Sequence, residues 1–376
     1  MIQRLSRRKI LQKWDTDDKV IVCTGARQVG KSTLLKGICE EKGRYLYLNG
    51  DDPDVNIMLE NAGERKLRQI IGDFPIVFID EAQRIKNVGF ISKIIYDQIK
   101  GVKLILSGSS ALEINNMVNE PLTGRKWEFQ LWQISWQEYI DFFGYAETML
   151  QLENRMIFGM YPEIIMNQNS EKENLKHLTS SYLYKDILSI QNIRKPEILD
   201  KLLFALALQI GNEVNYNELA QLLKIDRKTI EEYISLLEKL YVIFKLPPLS
   251  RNERKEISSS RKIYFYDIGI RNAIIDNFSP LTMRQDVGAI WENFIISELK
   301  KKISYEQNYY RNYFWRTYQQ QEIDYIQEFE NQLFAFEIKW NENKKVRFSS
   351  TYKSLYPHSL TSLINKGNFV EFLLNK

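Results

Sequence analysis

"TGARQVGKSTLL", residues 24–35, decides how the first half of this chain is read. It follows the apolar run "VIVC" (20–23) and opens a segment, "KSTLLKGICEE" (31–41), with the spacing of a helix. Gly25, Ala26, Arg27, Gln28, Val29, Gly30, Lys31 and Ser32 match the phosphate-loop spacing without a misfit, and a strand before and a helix after are the context that spacing requires. Glycines let backbone N–H groups converge on phosphate oxygens without a Cβ in the way. The helix that begins near Lys31 aims the positive end of its dipole at the same anion. Lys31 is expected to reach the β- and γ-phosphates, and Ser32 to offer its hydroxyl to Mg²⁺. The expected nucleotide contacts run from Gly25 to Thr33.

Working outward, "IVFIDEAQRI" (76–85) puts Asp80 at the carboxyl end of an apolar strand, where open α/β sheets bind ligands. Asp80 is expected to hold Mg²⁺ and Glu81 to polarise the attacking water. Asp80 stands 49 residues after Lys31 (80 − 31), which leaves room for one strand and its helices. "LILSGSSA" (104–111) ends in hydroxyls, so Ser107, Ser109 or Ser110 can act as a γ-phosphate sensor or simply cap a turn. In "LTGRKW" (122–127), Arg125 is the candidate arginine finger towards a neighbouring subunit, with Arg84 the weaker rival. A phosphate loop, an Asp-Glu pair and an extra strand describe an AAA-like NTPase. From Lys19 to Ser107, apolar runs alternate with helix-like segments, so a parallel sheet covered on both faces is expected. The stretch 127–144 reads as helical, and helices are expected to about residue 210.

The bulk composition fits this reading. The chain has 376 residues, 44% hydrophobic and 27% charged, with a net charge of +4. Two cysteines and two histidines supply neither a disulfide framework nor a histidine-built metal site. The longest apolar run, "LLFALAL" (202–208), is short of the roughly 20 residues that span a bilayer. The charged N-terminus is unlike a secretory signal. No membrane partner and a cytoplasmic location are expected.

Residues 215–246 have the rhythm of a winged helix-turn-helix. A short amphipathic helix ends at "KID" (224–226), Asp226 is placed to cap the next helix, and "YVIFKLPPL" (241–249) is a strand leading to a polar wing. Arg227, Lys228 and Lys224 can face a DNA backbone, although Glu231 and Glu232 follow at once. Residues 250–262 carry five basic and two acidic residues, which tips the reading towards nucleic acid.

A second chemical signal is "QEIDYIQEFENQLFAFEIKW" (321–340). Period-2 alternation puts Glu337 and Lys339 on one face of a strand, and a hairpin through "EFENQ" brings Asp324 beside them. Glu292, in the helix-like "DVGAIWENFIISELKKK" (286–302), is a further candidate ligand. This is the layout of a PD-(D/E)XK nuclease: Asp324, Glu337 and Glu292 on Mg²⁺, with Lys339 orienting the water. Charges that interrupt an apolar strand are costly unless paired or ligated.

In order, "GARQVGKSTLL", "VFIDEAQRI", "LSGSSA", "LTGR", "SWQEY", "YPEI", "YLYKDIL", "YFYDIG", "GAIWENFIISEL", "EIDYI" and "FEIKW" run through nearly the whole chain. In these segments it resembles the prokaryotic AAA-type ATPases that carry AAA domain 14 followed by domain of unknown function 4143. The resemblance implies ATP hydrolysis, a winged-helix module and a nuclease-like terminal module.

The expected architecture is thus α/β: a P-loop ATPase core over 1–145, a helical lid over 146–210, a winged helix-turn-helix over 211–262 and a PD-(D/E)XK nuclease-like domain over 263–376. The expected cofactors are ATP and Mg²⁺ and the expected macromolecular partner is DNA, with a homo-oligomer possible. The other reading is a switch ATPase that binds a protein partner and uses its later modules as scaffolds.

Overall fold

The computed structural model describes residues 2–109, 120–180, 196–250, 261–306 and 309–374. Two compact units make up the chain: Met1–Ile134 with Lys239–Tyr241, and Ser135–Glu238 with Val242–Lys376. Ser110, the segment "YLYKDIL" and the tip of the expected wing lie outside the described residues.

The first unit is built on five strands, β1 (Val20–Thr24), β2 (Tyr45–Asn49), β3 (Ile76–Asp80), β4 (Lys103–Gly108) and β5 (Lys126–Gln130). Their lateral order is β2-β3-β4-β1-β5 and every pairing is parallel. Strands β3 and β4 are buried along their whole length, as a sheet covered on both faces demands. The covering helices are α1 (Leu5–Thr16), α2 (Lys31–Lys42), α3 (Pro53–Leu59), α4 (Glu64–Ile71) and α5 (Val88–Gln98). Val20, Val22, Val77, Ile79, Leu104 and Leu106 form one face of a core closed by Leu67, Ile91 and Ile95. The strand that intervenes in sequence, β2, goes to the edge. The strand that intervenes in space is β4, between β1 and β3.

The helix-like stretch between β2 and β3 forms α3 and α4, with Gly63 as the N-cap of α4. One sequence expectation changes here. The first part of the stretch 127–144 is strand β5, not helix, because its backbone pairs with β1 from Val20↔Lys126 to Thr24↔Gln130. Tertiary pairing overrides the local spacing.

Helices of the second unit are α6 (Trp136–Phe143), α7 (Tyr145–Leu150), α8 (Leu152–Phe158), α9 (Pro162–Met166), α10 (Glu171–Leu178), α11 (Pro196–Leu208), α12 (Tyr216–Leu223), α13 (Arg227–Lys239), α14 (Ile268–Ile274), α15 (Val287–Glu306), α16 (Ser350–Leu355) and α17 (Phe369–Leu373). A three-stranded antiparallel sheet has the order β6-β8-β7, from β6 (Glu213–Val214), β7 (Ile243–Leu246) and β8 (Arg261–Phe265). A four-stranded sheet has the order β12-β11-β10-β9, from β9 (Arg311–Arg316), β10 (Glu322–Phe329), β11 (Gln332–Ile338) and β12 (Leu360–Ile364). Only β11 and β12 are parallel within it. Helix α13 begins where Asp226 accepts the Thr229 N–H at 2.8 Å and the Thr229 hydroxyl at 2.7 Å, the cap expected from sequence.

Two of the quoted segments have clear packing reasons. In "SWQEY", Ser135 and Glu138 form a reciprocal capping box at the start of α6, and the Trp136 N–H donates to Glu298 of α15 at 2.7 Å. In "YFYDIG", the buried Asp267 caps α14 through Gly269 N–H at 2.9 Å and accepts the Met160 N–H at 2.7 Å. Nearby, Asp286 takes the Arg271 guanidinium at 2.6 Å and Arg284 in a fork, at 2.8 Å on each oxygen. Arg271 also donates to the Ala207 carbonyl, which ties α11 to α14.

Asp286 gives the fold a pH dependence. Burial alone pushes its pKa up, but the hydrogen bonds from Arg284 and Arg271 outweigh burial and bring it to about 2, below the ordinary 3.8. The stabilisation is fully present above the ordinary value and fades as pH falls through about 2. Asp286→Asn should therefore lose about 1 kcal/mol near neutral pH at this partly exposed site. Urea unfolding of both proteins from pH 7 down to pH 2 should show the gap closing; a gap that stays constant contradicts the assignment.

Candidate functional site

The loop between β1 and α2 is shaped by close backbone approaches. Gly25 has φ +151°, and a Cβ there would stand 2.1 Å from the Leu131 carbonyl oxygen. Leu131 in turn donates its N–H to the Thr24 carbonyl at 2.7 Å, so the end of β1 and the residue after β5 are drawn together. Only glycine fits. Gly30, at φ +95°, is the left-handed N-cap of α2. Lys31 is buried, and its Nζ donates to the carbonyls of Gly25 at 2.9 Å and Ala26 at 2.7 Å. Burial pulls its pKa down, against the opposing pull of Glu81, Cys23 and Asp80. The ammonium is thus held inside the curl of the loop.

The carboxylates meet this loop because β4 lies between β1 and β3. Asp80 ends β3 and is buried. Its Oδ1 accepts the Ser107 hydroxyl from β4, and its Oδ2 accepts the Tyr47 hydroxyl from β2 at 2.9 Å. Burial and the Asp80 hydrogen bond together push the Tyr47 phenol well above its ordinary range. Neither hydroxyl cancels the Asp80 charge. With the Ser32 hydroxyl in the first turn of α2, this is a hard-oxygen donor set that fits Mg²⁺.

Glu81 sits on a strained backbone at φ +46°. Such a conformation costs a non-glycine residue about 1 kcal/mol or more. Gly50 makes room for it: a Cβ there would lie 2.3 Å from the Glu81 carbonyl oxygen. The Glu81 carboxylate accepts Gln83 Nε2 at 2.6 Å and the Ser109 hydroxyl at 3.3 Å.

Sequence reasoning missed two residues here. Arg4, just before α1, is buried and donates to the Val29 carbonyl at 2.6 Å and the Trp132 carbonyl at 2.5 Å. No local pattern marks it, because both its partners are distant in the chain. Gln83 lies inside the quoted "IVFIDEAQRI", where it reads as one more polar residue beside Asp80, Glu81 and Arg84. Arg125, by contrast, lies at the amino end of β5, where its carbonyl accepts the Val20 N–H at 2.9 Å. That is the opposite end of the parallel sheet from the loop, and Arg125 pairs with Asp97 at 2.9 Å. It does not join the site of its own chain. Arg84 pairs with Asp51 at 3.5 Å.

A second cluster lies in the other unit. The β10–β11 hairpin turns at Glu330 and Asn331, both at positive φ. A register shift between Ile323 and Ile326 falls at Asp324, where a bulge re-aims side chains. Asp324 Oδ2 accepts the Ile338 N–H at 2.7 Å and Lys339 Nζ at 2.5 Å, and Lys339 also pairs with Glu337 at 2.8 Å. Asp324, Glu337 and Lys339 are therefore together, as the alternation predicts. Burial and the Asp324 charge push the Glu337 carboxyl up to about 7. Burial opposes the Lys339 charge, but Asp324 and Glu337 outweigh it and raise the ammonium.

Glu292 has other partners. Its Oε1 accepts Lys262 Nζ at 3.0 Å and the Tyr264 hydroxyl at 2.5 Å. Lys262 also pairs with Glu322. Counted from sequence as a basic wing residue, Lys262 is instead 1% exposed in β8. Among the described residues no cluster of three or more Asp, Glu, His or Cys side chains is arranged to hold a metal. The set Asp324, Glu337 and Glu292 does not fit a three-carboxylate Mg²⁺ site as it stands, because lysine ammonium groups occupy the carboxylates.

Residues 17–140 match the AAA domain, 149–281 match domain of unknown function 8612 and 287–373 match domain of unknown function 4143. The AAA domain followed by domain of unknown function 4143 supports a P-loop AAA-type ATPase family. An uncharacterized protein of Methanocaldococcus jannaschii is 28% identical over 362 residues, covering 89% of this chain and 78% of that one. One of Mycobacterium tuberculosis, also uncharacterized, is 25% identical over 325 residues, covering 85% and 70%. The Walker-type ATPase of Pyrococcus abyssi has a similar fold, with a TM-score of 0.53 at 17% identity over 73% of this chain and 96% of that chain. No helix among the described residues is long and apolar enough to cross a membrane.

The Lys262 pairs should be costly to break singly. Lys262→Met leaves the half-buried Glu292 without its cation and Glu322 with Arg316 alone, a loss of roughly 3 kcal/mol. Adding Glu292→Gln should recover part of it, and urea unfolding of the single and double variants measures the coupling; strictly additive losses contradict the ion pair.

Proposed function

We propose that this chain binds ATP in the loop Gly25–Thr33 and hydrolyses it, and that it uses the cycle to act on DNA. One observation carries the ATPase reading. Lys31, Asp80, Glu81, Ser107 and Ser109 gather at the carboxyl ends of the adjacent strands β1, β3 and β4. In this reading the loop amides and the amino end of α2 receive the phosphates. Lys31 exchanges its two loop carbonyls for phosphate oxygens. Ser32 and Asp80 hold Mg²⁺, which when bound neutralises charge building on the phosphate oxygens. Glu81 orients the attacking water and takes its proton. Arg125 can act only on the nucleotide of a neighbouring copy.

Support for DNA comes from the second unit. Helices α12 and α13, followed by the antiparallel β7–β8 pair, support the winged-helix reading. The β10–β11 hairpin with Asp324, Glu337 and Lys339 resembles a nuclease module. One observation favours the rival reading, a switch that binds a protein partner. Arg227 pairs with Glu231 at 2.8 Å and Lys228 with Glu232 at 4.0 Å, so two of the three expected DNA-facing cations are already matched on their own helix.

Lys31→Ala should abolish ATP turnover, read as phosphate release; turnover at the wild-type rate refutes the site. DNA binding measured from low to high salt should fall steeply if phosphate contacts carry it. Wild type and Asp324→Ala compared for cleavage with Mg²⁺ or Mn²⁺ test the nuclease module. Absence of both binding and cleavage leaves the protein-partner switch as the surviving reading.

A further inference from the structure

Gln83 is 6% exposed, in the short 3₁₀ turn Ala82–Arg84 that follows Glu81. Its Nε2 donates to two acceptors, the Glu81 carboxylate at 2.6 Å and the Ser109 hydroxyl oxygen at 3.1 Å. Ser109 itself donates to the same Glu81 oxygen, Oε2, at 3.3 Å, so the three side chains close a ring of hydrogen bonds. The other end of the amide, Oε1, is buried and has no partner among the described residues. Turning the amide round would press that oxygen against the Glu81 carboxylate, so the carboxylate fixes the orientation. Buried amides are normally satisfied at both ends, and an orphaned acceptor calls for a reason beyond packing. An apolar side chain of equal length would fill the same space without leaving a buried carbonyl unpaired.

The ring joins two elements that are far apart in the chain. Glu81 follows β3, and Ser109 follows β4 (Lys103–Gly108). We infer that Gln83 is a positioning residue for hydrolysis. It tethers the water-activating carboxylate of Glu81 to Ser109, so that the base takes its working position only in concert with the end of β4. The inference rests on the reading of Glu81 as the base. Its content is separate: the tether acts on the chemical step and not on nucleotide binding, because none of its three members is part of the phosphate loop.

The test uses the full chain, with steady-state phosphate release and calorimetric ATP titration on Gln83→Met, Ser109→Ala and the double variant. Gln83→Met should lower kcat by about 10- to 100-fold, leaving KM and ATP affinity within about twofold and thermal stability unchanged or raised, since the orphaned oxygen is gone. The double variant should be no slower than Gln83→Met alone, because the tether is already cut. Wild-type kcat in Gln83→Met overturns the inference, as does a parallel fall of kcat and ATP affinity. Losses that multiply in the double variant also overturn it. If Gln83→Met does not fold, Ser109→Ala cuts the tether from the other end and must itself show the kcat loss at unchanged KM. A wild-type protein without ATP turnover defeats the underlying reading; turnover that Lys31→Ala abolishes and Gln83→Met leaves intact defeats only the tether.

Discussion

The candidate nucleotide site depends on one parallel register. Strand β4 lies between β1 and β3, with Cys23 level with Ser107 and Ile79 level with Leu106. That register sets the Ser107 hydroxyl against Asp80 and leaves Ser109, beyond the end of β4, within reach of Glu81 and Gln83. Side chains alternate faces along a strand, so a slip of one residue would turn Ser107 to the other layer. Asp80 would then be a buried carboxylate with fewer donors. The apolar residues of β3 and β4 hold the register, because sliding would turn core side chains such as Leu104 and Leu106 out of the layer they fill.

The chain buries carboxylates in two different ways. Asp80 is surrounded by the neutral hydroxyls of Ser107 and Tyr47, which lower the cost of burial without cancelling its charge. Such a group still attracts a cation. In the second unit, Lys339 lies between Asp324 and Glu337, and Lys262 between Glu292 and Glu322. There the protein supplies the cations itself. A buried ion pair offsets its desolvation only when geometry and extra hydrogen bonds are good, and the Ile338 N–H and the Tyr264 hydroxyl provide them. The first arrangement is open to a metal ion; the second already holds ammonium groups where a metal would have to compete.

What could be read from the sequence follows the range of the interaction. The phosphate loop was legible because its requirements are local: glycines at fixed offsets, a strand before and a helix after. The Asp80 position followed from an apolar run that ends in a charge. Asp324, Glu337 and Lys339 were legible because a hairpin turn and the alternation of β11 set them side by side, although the bulge at Asp324 was not. Lys262 was not. It looks like one more charge in a basic stretch, and only the fold reveals two glutamates from distant elements around it. Strand β5 was misread as helix for the same reason: the partner that makes it a strand, β1, lies a hundred residues earlier in the chain.

Arg4 shows how far the loop is a tertiary structure. One guanidinium binds the Val29 carbonyl in the phosphate loop and the Trp132 carbonyl after β5, while Gly25 lets the loop's other end press against Leu131. Three segments distant in sequence therefore share one polar clamp. The glycines make the loop able to adopt its curve, since they remove the steric objection. They do not hold it there, because glycine loses more freedom on folding than any other residue. The holding comes from Lys31 on the Gly25 and Ala26 carbonyls and, from outside the motif, from Arg4, which joins the Val29 carbonyl to that of Trp132 after β5. A phosphate loop with the right spacing but without those contacts would have the sequence of the site and little of its stiffness.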